Sequence, residues 1–188
     1  AELVDNGKVL AISEVDGEAQ LTVGVVKEWN AETPYLYDLF FTLKDSSGTV
    51  IECIRQKVGF RHINIDGEIF KLNGRAIKIK GVNHHDTNPK TGYYMTPQDI
   101  LKDLTLMKSH NVNGVRTSHY PPDPLLIQLC AELGLYVIDE ADIETHGCNL
   151  WPIHNINKIS NHLKWKEHYW DRVHRMYERD KNNASILM

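Results

Sequence analysis

The chain has 188 residues, 41 % of them hydrophobic and 24 % charged, with a formal net charge of −4. That suffices for one large soluble domain or one and a half ordinary ones. A weakly acidic balance without a basic block argues against nucleic acid and acidic lipid as partners, and no apolar run approaches a membrane span.

The first residues, Ala1-Glu2-Leu3-Val4-Asp5, lack the basic-then-apolar pattern of a secretory signal. Cys53, Cys130 and Cys148 are odd in number and have no metal-ligand spacing. They read as reduced thiols and imply a cytoplasmic protein. Cys130 lies in an apolar helical stretch and reads as a small core residue.

Residues 1–63 read as β. Polar and apolar residues alternate over 20–25 and 39–43. Asp5-Asn6-Gly7, Asp16-Gly17 and Asp45-Ser46-Ser47-Gly48 supply turns between them. Thr33-Pro34 sets an extended approach to a strand at Tyr35-Leu36-Tyr37. Four or five short strands predict part of an immunoglobulin-like β-sandwich. Residues 65–75 predict a β ribbon with turns at Asp66-Gly67 and Asn73-Gly74.

From Ala76 the period changes, and 64–188 reads as a second domain. Ile77, Ile79 and Val82 predict a strand ending near Asn83. Thr96-Pro97, with Asp99 in the first turn, starts a helix whose apolar face is Ile100, Leu104 and Met107, widened by Leu101. Val115 centres the next strand. Asp123-Pro124 starts a second helix, with Leu126, Leu129, Cys130 and Leu133 inward and Gly134 at its end. Residues 135–138 are wholly apolar, as a parallel strand buried on both faces is. A third helix is predicted over 165–180, with Trp170, Val173 and Tyr177 on one face. Residues 185–188 begin a fourth strand. This βαβαβαβ order predicts a parallel sheet with right-handed crossovers. No Gly-x-Gly-x-x-Gly or Walker-type loop follows any strand. The fold class is therefore α/β: the first half of a TIM (β/α)8 barrel, preceded by part of the sandwich.

Each predicted strand ends in polar groups: Asn83, His84, His85, Asp86 and Asn88; then Arg116, Ser118, His119 and Tyr120; then Asp139, Glu140, Asp142, Glu144 and His146. One such group is most simply a loop cap or a solvated residue. Three successive strand ends of this kind are how a barrel builds an active site. Glu144 and His146, two apart in an extended loop, would point the same way and could share a divalent ion such as Mg²⁺ or Mn²⁺. A surface Glu and His is the plainer alternative. A zinc hydrolase barrel would want His-x-His after its first strand, whereas His84 and His85 are adjacent. Tyr93, Tyr94, Tyr120 and Trp151 could offer aromatic platforms to sugar rings or simply pack.

Asn113-Gly114-Val115-Arg116-Thr117-Ser118-His119-Tyr120-Pro121, followed by Gly134-Leu135-Tyr136-Val137-Ile138-Asp139-Glu140, resembles the signature of glycoside hydrolase family 2. Val58-Gly59-Phe60-Arg61, Leu72-Asn73-Gly74 and Gly81-Val82-Asn83-His84-His85-Asp86 resemble the run leading into its barrel. The segment 139–147 is more similar to the β-galactosidase branch than to the β-glucuronidase branch. The likeness covers about residues 28–188.

That resemblance implies a parent enzyme, a homo-oligomer, that cleaves terminal β-D-galactosides such as lactose with retention. It implies that Glu144 and His146 bind Mg²⁺, with Na⁺ also used in the parent, and that His119 supports the transition state. Asn88, Arg116, His119 and Asp142 would bind the sugar. Asn88 stands where some members have histidine, and His84 where an arginine is common. A retaining glycosidase needs two carboxylates roughly 5–5.5 Å apart. By the family's pattern both follow Met188, so no catalytic carboxylate is expected in this chain, and Glu140 and Glu144 take supporting and metal roles. Two other readings remain: a non-catalytic carbohydrate-binding or scaffold module, and a family 2 enzyme of other specificity, β-glucuronidase or β-mannosidase.

Overall fold

The computed structural model describes residues 1–149 and 157–188. Backbone contacts divide the chain into two compact units, Ala1–Ile77 and Lys78–Met188.

In the first unit four strands form one antiparallel sheet in the order β2-β1-β3-β4: β1 Glu2–Asp5, β2 Lys8–Ile12, β3 Tyr37–Lys44 and β4 Val50–Val58. Asn6 and Gly7 both take positive φ, 47° and 83°, which is the turn that matches strand twist in a two-residue hairpin. Between β3 and β4 the Asp45 carboxylate accepts from the backbone N–H groups of Ser47 and Thr49 and so shapes its own turn. The unit packs on Trp29, Leu3, Val4 and Tyr37. Tyr37 and Phe60 meet edge to face at 5.2 Å. Residues 20–25, expected as a strand, form none: their alternation has no partner strand to work against, and Val25 is fully exposed. The ribbon is a three-stranded meander, β5 Ile63–Asp66, β6 Ile69–Leu72 and β7 Arg75–Ala76. Its first turn sits one residue later than expected, at Gly67-Glu68, because Gly67 carries the positive φ, 61°.

The second unit is a partial barrel. It holds β8 Gly81–His84, α1 Pro97–Ser109, β9 Gly114–Thr117, α2 Pro124–Leu133, β10 Tyr136–Ile138 and α3 Lys166–Asp180. The strands lie parallel in the order β8-β9-β10. Ile186 bridges to Val137 in parallel beside β10, so the expected fourth strand is present as a single bridge. Thr96 and Asp99 form a reciprocal capping box on α1. Asp123 caps Leu125 N–H on α2, and Gly134 closes that helix with a left-handed φ of 78°. The core is Met95, Ile100, Leu104, Val115, Leu126, Cys130, Leu135 and Val137. Burial pushes the Cys130 thiol up, as befits a packing residue.

Three local expectations change. The first barrel strand starts at Gly81, not Ile77. Just before it, the Asn113 side chain takes the role of a partner strand: its Oδ1 accepts from Lys80 N–H at 2.6 Å and its Nδ2 donates to Lys78 O at 3.0 Å. Leu101 is exposed, so the inward face of α1 is only as wide as Ile100, Leu104 and Met107 make it. The apolar face of α3 is also open: Trp170, Val173 and Tyr177 are exposed, while Asp180 at its end is buried. Along its surface α3 carries Asp171–Arg175 at 2.9 Å and Glu178–Lys181 at 2.6 Å.

Leu104 is fully buried at the centre of this core. Leu104→Ala is expected to lower the unfolding free energy of the second unit by about 2–5 kcal/mol, read as a fall in the urea midpoint.

Candidate active site

Parallel pairing fixes the site before any side chain is considered. The ladders set Asn83 beside Arg116, and Arg116 beside Ile138. The three strands therefore end at one level, and the residues that follow them share one rim.

On that rim the Glu140 carboxylate is the hub. Its Oε1 accepts from Arg116 Nε, and its Oε2 lies 3.1 Å from His119 Nδ1. Arg116 Nη2 is 3.3 Å from the same imidazole nitrogen, and Arg116 Nη1 reaches Asn83 Oδ1 at 3.4 Å. Glu144 Oε2 lies 3.6 Å from His119 Nδ1. Arg116 on β9, His119 just after it, and Glu140 and Glu144 after β10 thus form one cluster. His119 packs edge-on against the exposed His85 at 5.5 Å, and Tyr120 lies tilted to the His85 ring at 5.9 Å.

Neighbouring residues on β8 point to opposite faces, as expected of a strand. His84 is buried, with Nε2 3.2 Å from Asp103 and Nδ1 3.4 Å from Asp86. Burial pulls its pKa down, but hydrogen bonds to Asp86 and Asp103 outweigh this and leave it raised. With His84 turned inward and His85 outward, the pair cannot chelate one zinc. Ser118 is buried too and donates to His84 O. It is a packing hydroxyl.

A second layer lies under the hub. Thr117 Oγ1 accepts from Glu140 N–H at 3.0 Å and donates to Asp139 Oδ1 at 3.3 Å. Asp139 is pushed up to about 7 by burial and by the charge of Asp180, to which it is hydrogen-bonded. Asp180 is gripped by Arg179 at 2.7–2.8 Å, and Arg179 also donates to Pro122 O. Thr117, Arg179 and Asp180 are absent from any strand-end reading of the sequence. The available signal was Asp180 itself, an acid in the last helical turn, where the helix dipole disfavours negative charge.

The remaining candidates sit elsewhere. Asn88 belongs to a tight 88–92 turn closed by two backbone bonds, and its Oδ1 accepts from Lys90 N–H. Asp142 is exposed. It lines a cavity of about 380 Å³ with Tyr120, Arg172 and Arg179, and a second of about 210 Å³ with Glu144, Trp165 and Tyr169. Tyr93 and Tyr94 are exposed, and Trp151 lies outside the described residues.

Glu144 and His146 do not share an extended loop. His146 opens a short 3₁₀ turn, and its backbone N–H donates to Glu144 Oε1 at 2.9 Å. That turn forms because the carboxylate satisfies one of its free N–H groups. Both residues are exposed. No group of three or more His, Cys, Asp or Glu converges as a metal site among the described residues.

Two family models match the chain and meet at residues 61–63. The family model described as "Glycosyl hydrolases family 2, TIM barrel domain" matches residues 63–188, and that described as "Glycosyl hydrolases family 2" matches residues 2–61. A β-galactosidase of Halalkalibacterium halodurans is 46 % identical over 199 aligned residues, covering 100 % of this chain and 19 % of the relative. One of Psychromonas ingrahamii is 42 % identical, covering 91 % of this chain and 16 % of the relative. A solved β-D-glucuronidase of Dictyoglomus thermophilum superposes with a TM-score of 0.86 at 29 % identity, covering 100 % of this chain and 32 % of that one. The chain spans under a fifth of the length of these curated relatives.

His84 supplies a pH-dependent contribution to stability. Because its folded pKa is raised, that contribution is complete below its unfolded value of about 6.5 and is lost as pH rises through the folded one. The urea midpoint of His84→Gln should therefore fall short of wild type at pH 5.5, with the gap narrowing towards pH 9.

Proposed function

The chain belongs to glycosyl hydrolase family 2, and from that premise we propose that it is part of a retaining β-galactosidase acting on terminal β-D-galactosides such as lactose. The observation that carries this reading is the Arg116–Glu140–His119 cluster at the ends of adjacent parallel strands. It lies at the face where barrel enzymes work. Its charges are paired, so it presents donors and acceptors without a strong field, which suits the hydroxyls of a neutral sugar. The 42–46 % identity to β-galactosidases supports galactose over other sugars.

In this reading His119 supports the transition state. Arg116, Asn88 and Asp142 bind the sugar, Asn88 and Asp142 through their own loops. Glu144 and His146 would hold a Mg²⁺, or Mn²⁺ in its place, and Na⁺ would serve elsewhere in the whole enzyme. The bound cation would supply positive charge beside the sugar oxygens. Glu140 and Glu144 hold Arg116, His119 and the backbone of His146, so neither is assigned as acid/base or nucleophile. Cys53, Cys130 and Cys148 are all free, which supports a cytoplasmic setting, and the whole enzyme would be a homo-oligomer. No helix among the described residues is long and apolar enough to cross a membrane. The β-glucuronidase reading is favoured by one observation, the names of the solved neighbours.

The whole protein carrying this chain should hydrolyse a chromogenic β-D-galactoside about 10²-fold or more faster than the matching β-D-glucuronide. The reverse preference would overturn the galactoside reading. His119→Phe in that protein should lower kcat by about 10²-fold. Binding of Mn²⁺, followed by loss of its free EPR signal, should weaken in both Glu144→Gln and His146→Ala. Unchanged Mn²⁺ affinity in both would remove the metal assignment.

A further inference from the structure

Behind the Arg116–Glu140–His119 cluster lies a pair of acids that the sugar-binding reading does not use. Asp139 and Asp180 are both buried, 8 % and 7 % exposed, and are hydrogen-bonded to each other. Two carboxylates cannot lie together in a low-dielectric interior with both charges in place. One must hold a proton. The arrangement around them says which. Arg179 grips both oxygens of Asp180 with its Nε and adds Nη2 at 2.7 Å, so that carboxylate has a cation directly against it. Among the described residues Asp139 has no ion-pair partner of its own and feels only Arg179, across Asp180. Its Oδ1 accepts from the Thr117 hydroxyl, which leaves its other oxygen to carry a proton towards Asp180.

The donor directions then run one way. Glu140 N–H donates to Thr117 Oγ1, and the Thr117 hydroxyl donates to Asp139 Oδ1. The Asp139 proton is donated to Asp180, which is held by Arg179. The chain starts at the backbone of Glu140, whose side chain holds Arg116 and lies against His119. We propose that Asp139 and Asp180 share one proton, and that this pair acts through Thr117 as a positioning unit for Glu140.

The charged groups facing Asp139 are Asp180 and Arg179, both from the end of α3. From β9 it meets the hydroxyl of Thr117, and its backbone N–H donates to the main-chain oxygen of Met188. On its own segment Glu140 is turned to Arg116 and His119. Loss of the shared proton would put two charges against each other with only Arg179 to offset them. Asp139 would then turn from Asp180, and the Thr117 hydroxyl and the Glu140 N–H would move with it. The inference concerns only groups of this chain and holds for any sugar at the rim, so it fails or stands separately from the galactoside reading.

NMR on the chain tests it. In the wild type the Asp139 carboxyl carbon should titrate near 7, against about 4 for a free aspartate. The amide of Glu140 and the Nε–H of Arg116 should shift with that same midpoint. Thr117→Val should keep the Asp139 midpoint but remove the linked shifts. Asp139→Asn can still donate to Asp180 and should leave both reporter signals flat across the range. It answers the question even if Thr117→Val does not fold. An Asp139 midpoint in the ordinary carboxylate range overturns the shared proton. Reporter shifts that persist in Thr117→Val or in Asp139→Asn overturn the positioning role.

Discussion

The strand-end cluster depends on one carboxylate. Glu140 holds Arg116 with one oxygen and faces His119 with the other. Arg116 has a long, flexible stem and His119 follows its strand into a loop. Neither would keep one orientation without a partner, since ordering such side chains costs conformational entropy. A guanidinium against one oxygen of a partly buried carboxylate, with an imidazole against the other, recovers that cost through directional, charge-assisted contacts. The rest of the second unit serves to deliver Glu140. Parallel pairing sets β10 level with β9, the core under them fixes their height, and the Thr117 hydroxyl holds the backbone of Glu140 itself.

Much of this frame was legible in the sequence because its signals are local. Thr96-Pro97 with Asp99, and Asp123-Pro124 with Gly134, state where two helices begin and one ends, and the structure follows them. The apolar 135–138 run announces a strand buried on both faces. What could not be read depends on contacts distant in sequence. Residues 20–25 alternate like a strand, yet alternation describes only a half-buried surface, and no strand lies alongside to use it. Ile77 and Ile79 extend the apolar pattern of β8, but the side chain of Asn113, 33 residues from Lys80, ends the ladder in their place.

The site shows the same division. Arg116, His119 and Glu140 could be grouped from the sequence because they follow consecutive strands, which a parallel sheet brings level. Glu144 joins them at 3.6 Å from His119, but its other oxygen caps the turn at His146, which two-residue spacing in an extended loop does not foresee. Asn88 lies apart from this cluster, with its carboxamide oxygen bound within its own turn. The buried acids beneath the rim were harder still. Asp139 lies next to Glu140 in sequence, but its partner Asp180 comes from the far end of a helix forty residues on, and only their shared burial marks them as a unit.

The open face of α3 bears on how this helix moves. Trp170, Val173 and Tyr177 face water, and its side is laced by surface pairs such as Asp171–Arg175, which salt weakens. Its last turn is fastened at Asp180 and, through Arg179, to Pro122 O. The last turn of α3 is thus its most firmly held part. Amide exchange within α3 would then be slowest in that turn. The slow turn is the one that abuts Asp139, so the layer beneath the rim rests on the best-fastened part of the helix.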